Sequence, residues 1–528
     1  MDPEPTLAVL NARVWTGNPD LPWAEALLVE NDRILDVGSN DEIRAQVGDA
    51  RVVDAAGKLV VPGFVDAHVH FLDGGFRLAS VQLRDAKTPE EFTRRIAEYA
   101  RTAPAGTWIL GGDWDHQNWG GELPHRAWID SAAPDHPVWV NRLDGHMALA
   151  SSLALERASI TRDTRDVEGG SIERDGNGEP TGVLKDNAMD LVNRVVPPPD
   201  LETSLRALRA AMSYVAQRGV TSVHHMGSWE DLEVFRAARE RGELRTRIYA
   251  AVPLASWDRL RDFTAREGKG DDWLSFGLLK GFVDGSLGSH TAAFHAPYDD
   301  LPSDRGLLVN REEDLYAWIS GADAAGLQVA VHAIGDRAND VLLGIYERVS
   351  RENGPRDRRF RIEHAQHLRP EDIPRFASLG VIPSMQPYHA IDDGRWAETV
   401  IGPVRIKTTY AFRSLLDAEA SLVFGSDWFV APPTPLEGIY AAVTRRTLDD
   451  RNPDGWVPEE KVTVEEALAA YTRSAARAAH AEDRLGVLKE GYLADFAILD
   501  PDITRIAPES IRDARVVMTV VGGNIVHE

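Results

Sequence analysis

The chain has 528 residues, of which 43% are hydrophobic and 27% charged, with a formal net charge of −25 and no cysteine. Its length exceeds one ordinary domain and suggests roughly two to four, while its acidity argues against nucleic acid or an anionic membrane as a partner. The lack of cysteine excludes disulfides, thiolate metal sites and cysteine nucleophiles, so any transition-metal site must use histidines and carboxylates, which suits zinc and its neighbours.

The N-terminus, Met1-Asp2-Pro3-Glu4-Pro5, has no basic segment followed by an apolar one. No uncharged apolar stretch is long enough to span a bilayer, so a cytoplasmic protein is expected. Short strands with turn punctuation follow at 7–15, 26–29, 33–37 and 51–53. The C-terminus has the same texture, with strands at 494–499 and 516–521 and a turn at Gly522-Gly523-Asn524. Neither end has enough apolar surface to fold alone. Joined, residues 1–60 and 485–528 are expected to form one small β-sandwich.

The run Val60-Val61-Pro62-Gly63-Phe64-Val65-Asp66-Ala67-His68-Val69-His70 is apolar, broken once by Pro-Gly, and ends in two histidines one residue apart. Residues i and i+2 of a strand share a face, so His68 and His70 project together from the strand end. Alone, such a pair is weak evidence. Residues 72–200 then separate this strand from the next. They contain strands at 108–111 and 138–141 and loop signals at 174–178, which predicts an inserted α+β subdomain over the catalytic face. Five tryptophans fall here: Trp108, Trp114, Trp119, Trp128 and Trp139. Most read as the insert's own core, whereas Trp114 and Trp119 lie in a Gly/Asp/Asn-rich loop and are candidates for a substrate wall.

Residues 61–71 and 201–484 alternate buried strands with amphipathic helices. Strands are expected at 220–224, 247–252, 276–283, 328–332, 360–364, 381–385 and 422–425, making eight with the opening strand. Helical patterns cover 201–217, 312–325, 338–352 and 370–379. Eight such units predict an α/β fold of the (β/α)8 TIM-barrel type. The strand ends carry chemistry. Period-two alternation puts Lys280, Phe282 and Asp284 on one face, and a lysine in such a run is costly to bury unless paired or chemically altered. His332, His364 and Asp427 end the fifth, sixth and eighth strands. Each alone has a bland explanation as a core histidine or a turn. Together they form a ring of acidic and basic groups at one mouth of one barrel.

The series Asp66-Ala67-His68-Val69-His70, Lys280, His332, His364 and Asp427 resembles the metal-dependent amidohydrolase superfamily. The segments Gly112-Asp113-Trp114-Asp115, 144–149, 178–184, Asp284-Gly285-Ser286, Gln386-Pro387 and 491–496 resemble its amidohydrolase-3 branch, the YtcJ-like and N-substituted formamide deformylase-like proteins. The resemblance covers essentially the whole chain. It implies that His68, His70 and Asp427 ligate one divalent metal, with zinc expected. His332 and His364 would hold a second, and Lys280 would bridge the two as a carbamate. Members of the superfamily use one or two ions. Asp427 would also be the general base, so Asp427 and Lys280 are the implied catalytic residues. The physical logic stands beside the resemblance: a carbamate solves the burial of Lys280 and supplies an oxygen bridge, and a divalent ion activates water.

Other polar residues carry less weight. His146 and His389 are candidate substrate contacts or ordinary surface histidines. Asp284, Asp336 and Gln386 are candidate supporting or substrate contacts, and Trp428 could cap an apolar substrate group or pack behind its loop. Of His224-His225, at most one can point inward. The leading expectation is a hydrolase of a non-peptide carbon–nitrogen bond in an amide, an N-formyl or N-acyl amine, or a cyclic amide. Alternatives are ester or carbamate hydrolysis or a non-hydrolytic reaction at the same site, a non-catalytic scaffold, and a carboxylate-pair glycosidase that would leave the histidines unexplained. A small-molecule substrate is expected, and a homodimer is the assembly considered.

Overall fold

A computed structural model describes residues 5–528. Eight parallel strands pair in sequence order: β1 (Phe64–Val69), β2 (Val220–Met226), β3 (Arg247–Pro253), β4 (Leu274–Phe282), β5 (Gln328–Ala333), β6 (Arg361–His364), β7 (Ile382–Met385) and β8 (Val423–Phe424). These strands are buried along nearly their whole length, as expected where helices cover the outside and neighbouring side chains fill the inside. The Asp427 N–H donates to the His68 carbonyl at 2.7 Å and the His70 N–H to the Trp428 carbonyl at 2.6 Å, closing the ring between β8 and β1. The chain therefore folds as the TIM-type barrel expected from its strand pattern.

The run from Val60 to His70 is two strands. Leu59–Pro62 pairs with Phe496–Asp500 in a separate sheet, and the chain enters the barrel after Pro62-Gly63. Gly63 is needed at this crossing, because a Cβ there would lie 2.2 Å from Thr221 Oγ1. The two chain ends share that six-stranded sheet, whose order runs Asn524–His527, Arg515–Val521, Phe496–Asp500, Leu59–Pro62, Arg13–Trp15 and Trp23–Ala24. A four-stranded sheet containing Leu7–Leu10 and Ala26–Glu30 packs on it through Val9, Leu27, Val60, Phe496 and Val520, all buried.

Between β1 and β2 the chain builds a six-stranded sheet of its own, with Val138–Arg142 and Met147–Ala150 at its centre and Ile109–Trp114 beside the former. The helix Leu201–Ala216 then returns the chain to the barrel. Asp200 caps it by accepting the Thr203 N–H at 2.7 Å. Its face of Leu205, Leu208, Ala211 and Val215 is buried, and it packs against the helix Phe71–Arg77, where Gly75 allows an approach that any side chain would block.

The closure at β8 depends on Gly425, where a Cβ would stand 2.5 Å from the His68 backbone nitrogen. Gly425→Ala must push β1 and β8 apart at the level of His68. It is expected to cost about 1–3 kcal/mol, read as a lower urea midpoint with an unchanged m-value.

Candidate active site

The barrel brings together the side chains that the strand ends separate in sequence. His68 Nε2 and His70 Nε2 each lie 3.3 Å from Asp427 Oδ1, and Lys280 Nζ lies 3.4 Å from His68 Nε2. The His364 ring is 5.0 Å from that of His68 and 4.5 Å from that of His332, centroid to centroid. One ligand atom each from His68, His364 and Asp427 fits within 4.8 Å of the others. Two of these residues adopt left-handed backbone, His364 at φ +75° and Asp427 at φ +60°. Such a conformation costs of order 1–3 kcal/mol per residue and persists only where the surroundings impose it.

Three of these histidines are held through one ring nitrogen. His68 Nδ1 lies 2.5 Å from Glu363 Oε2, His364 Nδ1 is 2.8 Å from Gln386 Oε1, and His332 Nε2 is 2.8 Å from the Gly285 carbonyl. The other nitrogen of His68, Nε2, faces Asp427 and Lys280. The Asp427 loop is held by Asp66, which accepts from the Ser426 N–H at 2.7 Å and the Ser426 hydroxyl at 2.5 Å.

Burial holds His332 and His364 well below the usual imidazole range, so both are neutral lone-pair donors near pH 7. Burial raises the Asp427 carboxyl, but the facing His68, with His70 and His364, outweighs it and keeps the acid ionised. Lys280 is pushed down to about 8 by burial, against the opposing pull of Glu363 and Asp427. Asp427 Oδ1 is buried with no donor directed at it, although two imidazole nitrogens stand at 3.3 Å. Lone pairs crowded around one point without intervening protons are what a divalent cation requires, and a neutral His and carboxylate set suits zinc.

His70, Lys280, His332, His364 and Asp427 form the floor of a cavity of about 220 Å³. Its walls include Leu143, Gly145, His146, Phe282, His389, Trp396 and Phe429. One side is strongly polar. Arg142 donates to Asp144 at 2.6 Å and to Asp115 at 3.1 Å, and the Ser286 hydroxyl reaches Asp144 at 2.5 Å, tying the inserted sheet to the loop after β4. Arg395 pairs with Asp392, and Asp393 accepts from the Tyr410 hydroxyl at 2.6 Å and the Gln366 amide at 2.9 Å.

Residues 51–527 match the family model described as "Amidohydrolase family". The chain belongs to the amidohydrolase family. As a member it is a metal-dependent hydrolase at the level of the family's general chemistry. This amidohydrolase is 43% identical to "Protein LONG AFTER FAR-RED 3" of Arabidopsis thaliana over 98% of its own length and 91% of that protein's. It is 33% identical to "Putative amidohydrolase YtcJ" of Bacillus subtilis over 96% of both chains. Identity to "N-substituted formamide deformylase" of Arthrobacter pascens is 29%, over 99% and 98%. An uncharacterized metal-dependent hydrolase from Pyrococcus horikoshii superposes with a TM-score of 0.78 at 29% identity, covering 95% of this chain and 99% of that one.

Of the substrate contacts expected for this amidohydrolase, His146 and His389 line the cavity, and four residues do not. Trp114 is wholly buried in the insert's core, donating to the Val140 carbonyl at 2.8 Å, because its strand turns it away from the barrel mouth. Trp428 stacks on Tyr214 and meets Phe71, so it packs behind the loop. Asp284 accepts the backbone N–H groups of Ala293, Ile334 and Gly335, which bind the loops after β4 and β5 together. Gln386 is buried against His364. Asp336 likewise serves the backbone, accepting the His295 N–H. Sequence reasoning missed Arg361, Glu363, Arg142, Asp144 and Asp393. For the first two a signal existed: two charges at i and i+2 of a short buried strand.

Proposed function

We propose that the protein hydrolyses a non-peptide carbon–nitrogen bond, in an N-formyl or N-acyl amine or a cyclic amide, using a water activated at this centre. The observation that carries the reading is the gathering of His68, His70, Lys280, His332, His364 and Asp427 at one mouth of the barrel, with one ligand atom each from His68, His364 and Asp427 within 4.8 Å of the others. A divalent ion bound there, with zinc the expected metal, lowers the pKa of water and polarises the scissile carbonyl. His68, His70 and Asp427 would hold one ion, with His332, His364 and a carbamylated Lys280 available for a second. Asp427, kept ionised, takes the proton from the attacking water and returns it to the leaving nitrogen. His389 Nε2 is buried without a partner 4.0 Å from Asp427 Oδ2, so it is free to bond the substrate beside the scissile bond. His146, held by Asp186 at 2.7 Å, faces the same space from the insert.

A panel of N-formyl amines, N-acyl amines and lactams incubated with the zinc-loaded protein tests this reading. Amine release from at least one of these classes, lost on chelation, is the expected result. Turnover confined to esters or carbamates, or none across a panel with the metal bound, would overturn it.

Carbamylation needs the neutral amine. With the Lys280 amine at about 8, about a tenth of the population is neutral at pH 7, against well under a thousandth for an ordinary lysine. The reactive fraction rises with pH through that value and falls below it. Protein equilibrated with 13C-bicarbonate is therefore expected to show a carbamate carbonyl resonance that grows between pH 7 and 9 and is missing from Lys280→Met. A spectrum without that resonance rules the carbamate out.

A further inference from the structure

Arg361 and Glu363 sit at i and i+2 of β6, so both point into the barrel, and both are entirely buried. A buried ion pair of this kind usually stabilises a fold no better than well-packed apolar residues of the same size. Its contacts indicate another use. Glu363 spends one oxygen on Arg361, at 2.7 Å from Nε, and the other on His68 Nδ1 at 2.5 Å. Arg361 is itself fixed to three other strands, donating to the Ala67 carbonyl on β1, to His224 Nδ1 on β2 at 2.9 Å and to Ser384 Oγ on β7 at 3.1 Å.

We propose that Glu363, clamped by Arg361, is a positioning residue that places the proton of His68 on Nδ1 and aims its Nε2 lone pair at the metal centre. An ionised carboxylate only accepts, so the nitrogen facing it must carry the hydrogen. Arg361, with the opposite charge and burial in common, prevents Glu363 from turning away. By bonding the Ala67 carbonyl it also holds the backbone next to His68. His364 and His332 are oriented by neutral acceptors, the Gln386 amide and the Gly285 carbonyl. His332 Nε2 also lies 3.5 Å from Asp284 Oδ1, but His68 alone of these three is hydrogen-bonded to a carboxylate, at 2.5 Å, which strengthens it as a donor. This inference rests on the reading of His68 as a metal ligand given above.

The test is zinc affinity, measured by titrating metal-free protein against a chromogenic chelator, together with the visible spectrum of the cobalt-substituted protein. Wild type and His68→Ala come first: failure of wild type to bind, or unchanged binding by His68→Ala, refutes the ligand assignment itself. Given that assignment, Glu363→Gln is expected to bind zinc about 10–100-fold more weakly and to change the cobalt spectrum. Because Glu363→Gln leaves Arg361 buried without its counter-charge, a second variant, Arg361→Met with Glu363→Met, removes both charges and keeps the volume. If the pair serves stability alone, this folded variant regains wild-type zinc affinity, and an affinity within about 3-fold of wild type overturns the proposal. Weakened zinc binding with a wild-type far-UV spectrum supports it.

Discussion

Asp427→Asn is expected to lower kcat by about 10⁴-fold on any substrate that the wild-type protein turns over. The substitution keeps the shape of the side chain and removes its capacity to take up a proton. Asp427 faces two imidazole nitrogens at 3.3 Å and has no donor directed at Oδ1, so the amide also brings an N–H group or a weaker oxygen to the point where a cation would sit. Both effects act on the same step. His68→Ala is expected to be as damaging by another route, since it opens the innermost corner of the site and strands Glu363 as a buried anion whose imidazole partner is gone. Steady-state kinetics with metal content measured on the same samples separates the two. Asp427→Asn with its metal retained and turnover within about tenfold of wild type would remove Asp427 from the role of base.

Asp495→Ala is expected to destabilise the protein by about 3–5 kcal/mol. Asp495 makes a two-pronged pair with Arg247, at 2.7 Å to Nε and 2.9 Å to Nη2, and each side chain is only 3% exposed. Asp495 also accepts the Gly522 N–H at 2.8 Å, while Arg247 donates to the Asp272 carbonyl and lies against the Trp273 ring. The pair joins the terminal sheets to β3 of the barrel, so breaking it leaves a guanidinium buried at their junction. Urea unfolding should show the loss as a lower midpoint. The double variant Arg247→Met with Asp495→Ala should lose less than Asp495→Ala alone, because no unpaired charge remains. A cost for the single variant below about 1 kcal/mol would show that the junction relaxes or admits water.

Individual residues show how much was readable in advance. The eight strands were legible because a strand buried on both faces must be a short apolar run. Lys280, His332, His364 and Asp427 stood out because charged or ligating groups are rare at the ends of such runs. Trp114 was misplaced because its Gly/Asp-rich neighbourhood resembles a loop, whereas it belongs to the strand Ile109–Trp114 with its ring in the insert's core. Gln386 reads as a candidate supporting or substrate contact, and only the approach of β6 to β7 makes it the partner of His364. Glu363 is the sharpest case. Its adjacency to His364 suggests that it points the other way. Alternation with Arg361 keeps Glu363 inside the barrel against His68, 295 positions away in sequence, and His364, which follows it, has left-handed backbone.

Local pattern by itself determined the strand–helix alternation of the barrel, the strand texture of the two chain ends, and the residue types of the centre. Period, burial and donor chemistry are properties of short segments, so a short segment reveals them. Which nitrogen each histidine turns toward the centre was decided by tertiary structure alone. So were the lowered amine of Lys280 and the meeting of Arg142 with Asp115, Asp144 and the loop after β4 to form one wall of the cavity. Orientation, desolvation and charge pairing depend on which distant segments come within a few ångströms, and that distance is set only when the ring of strands closes.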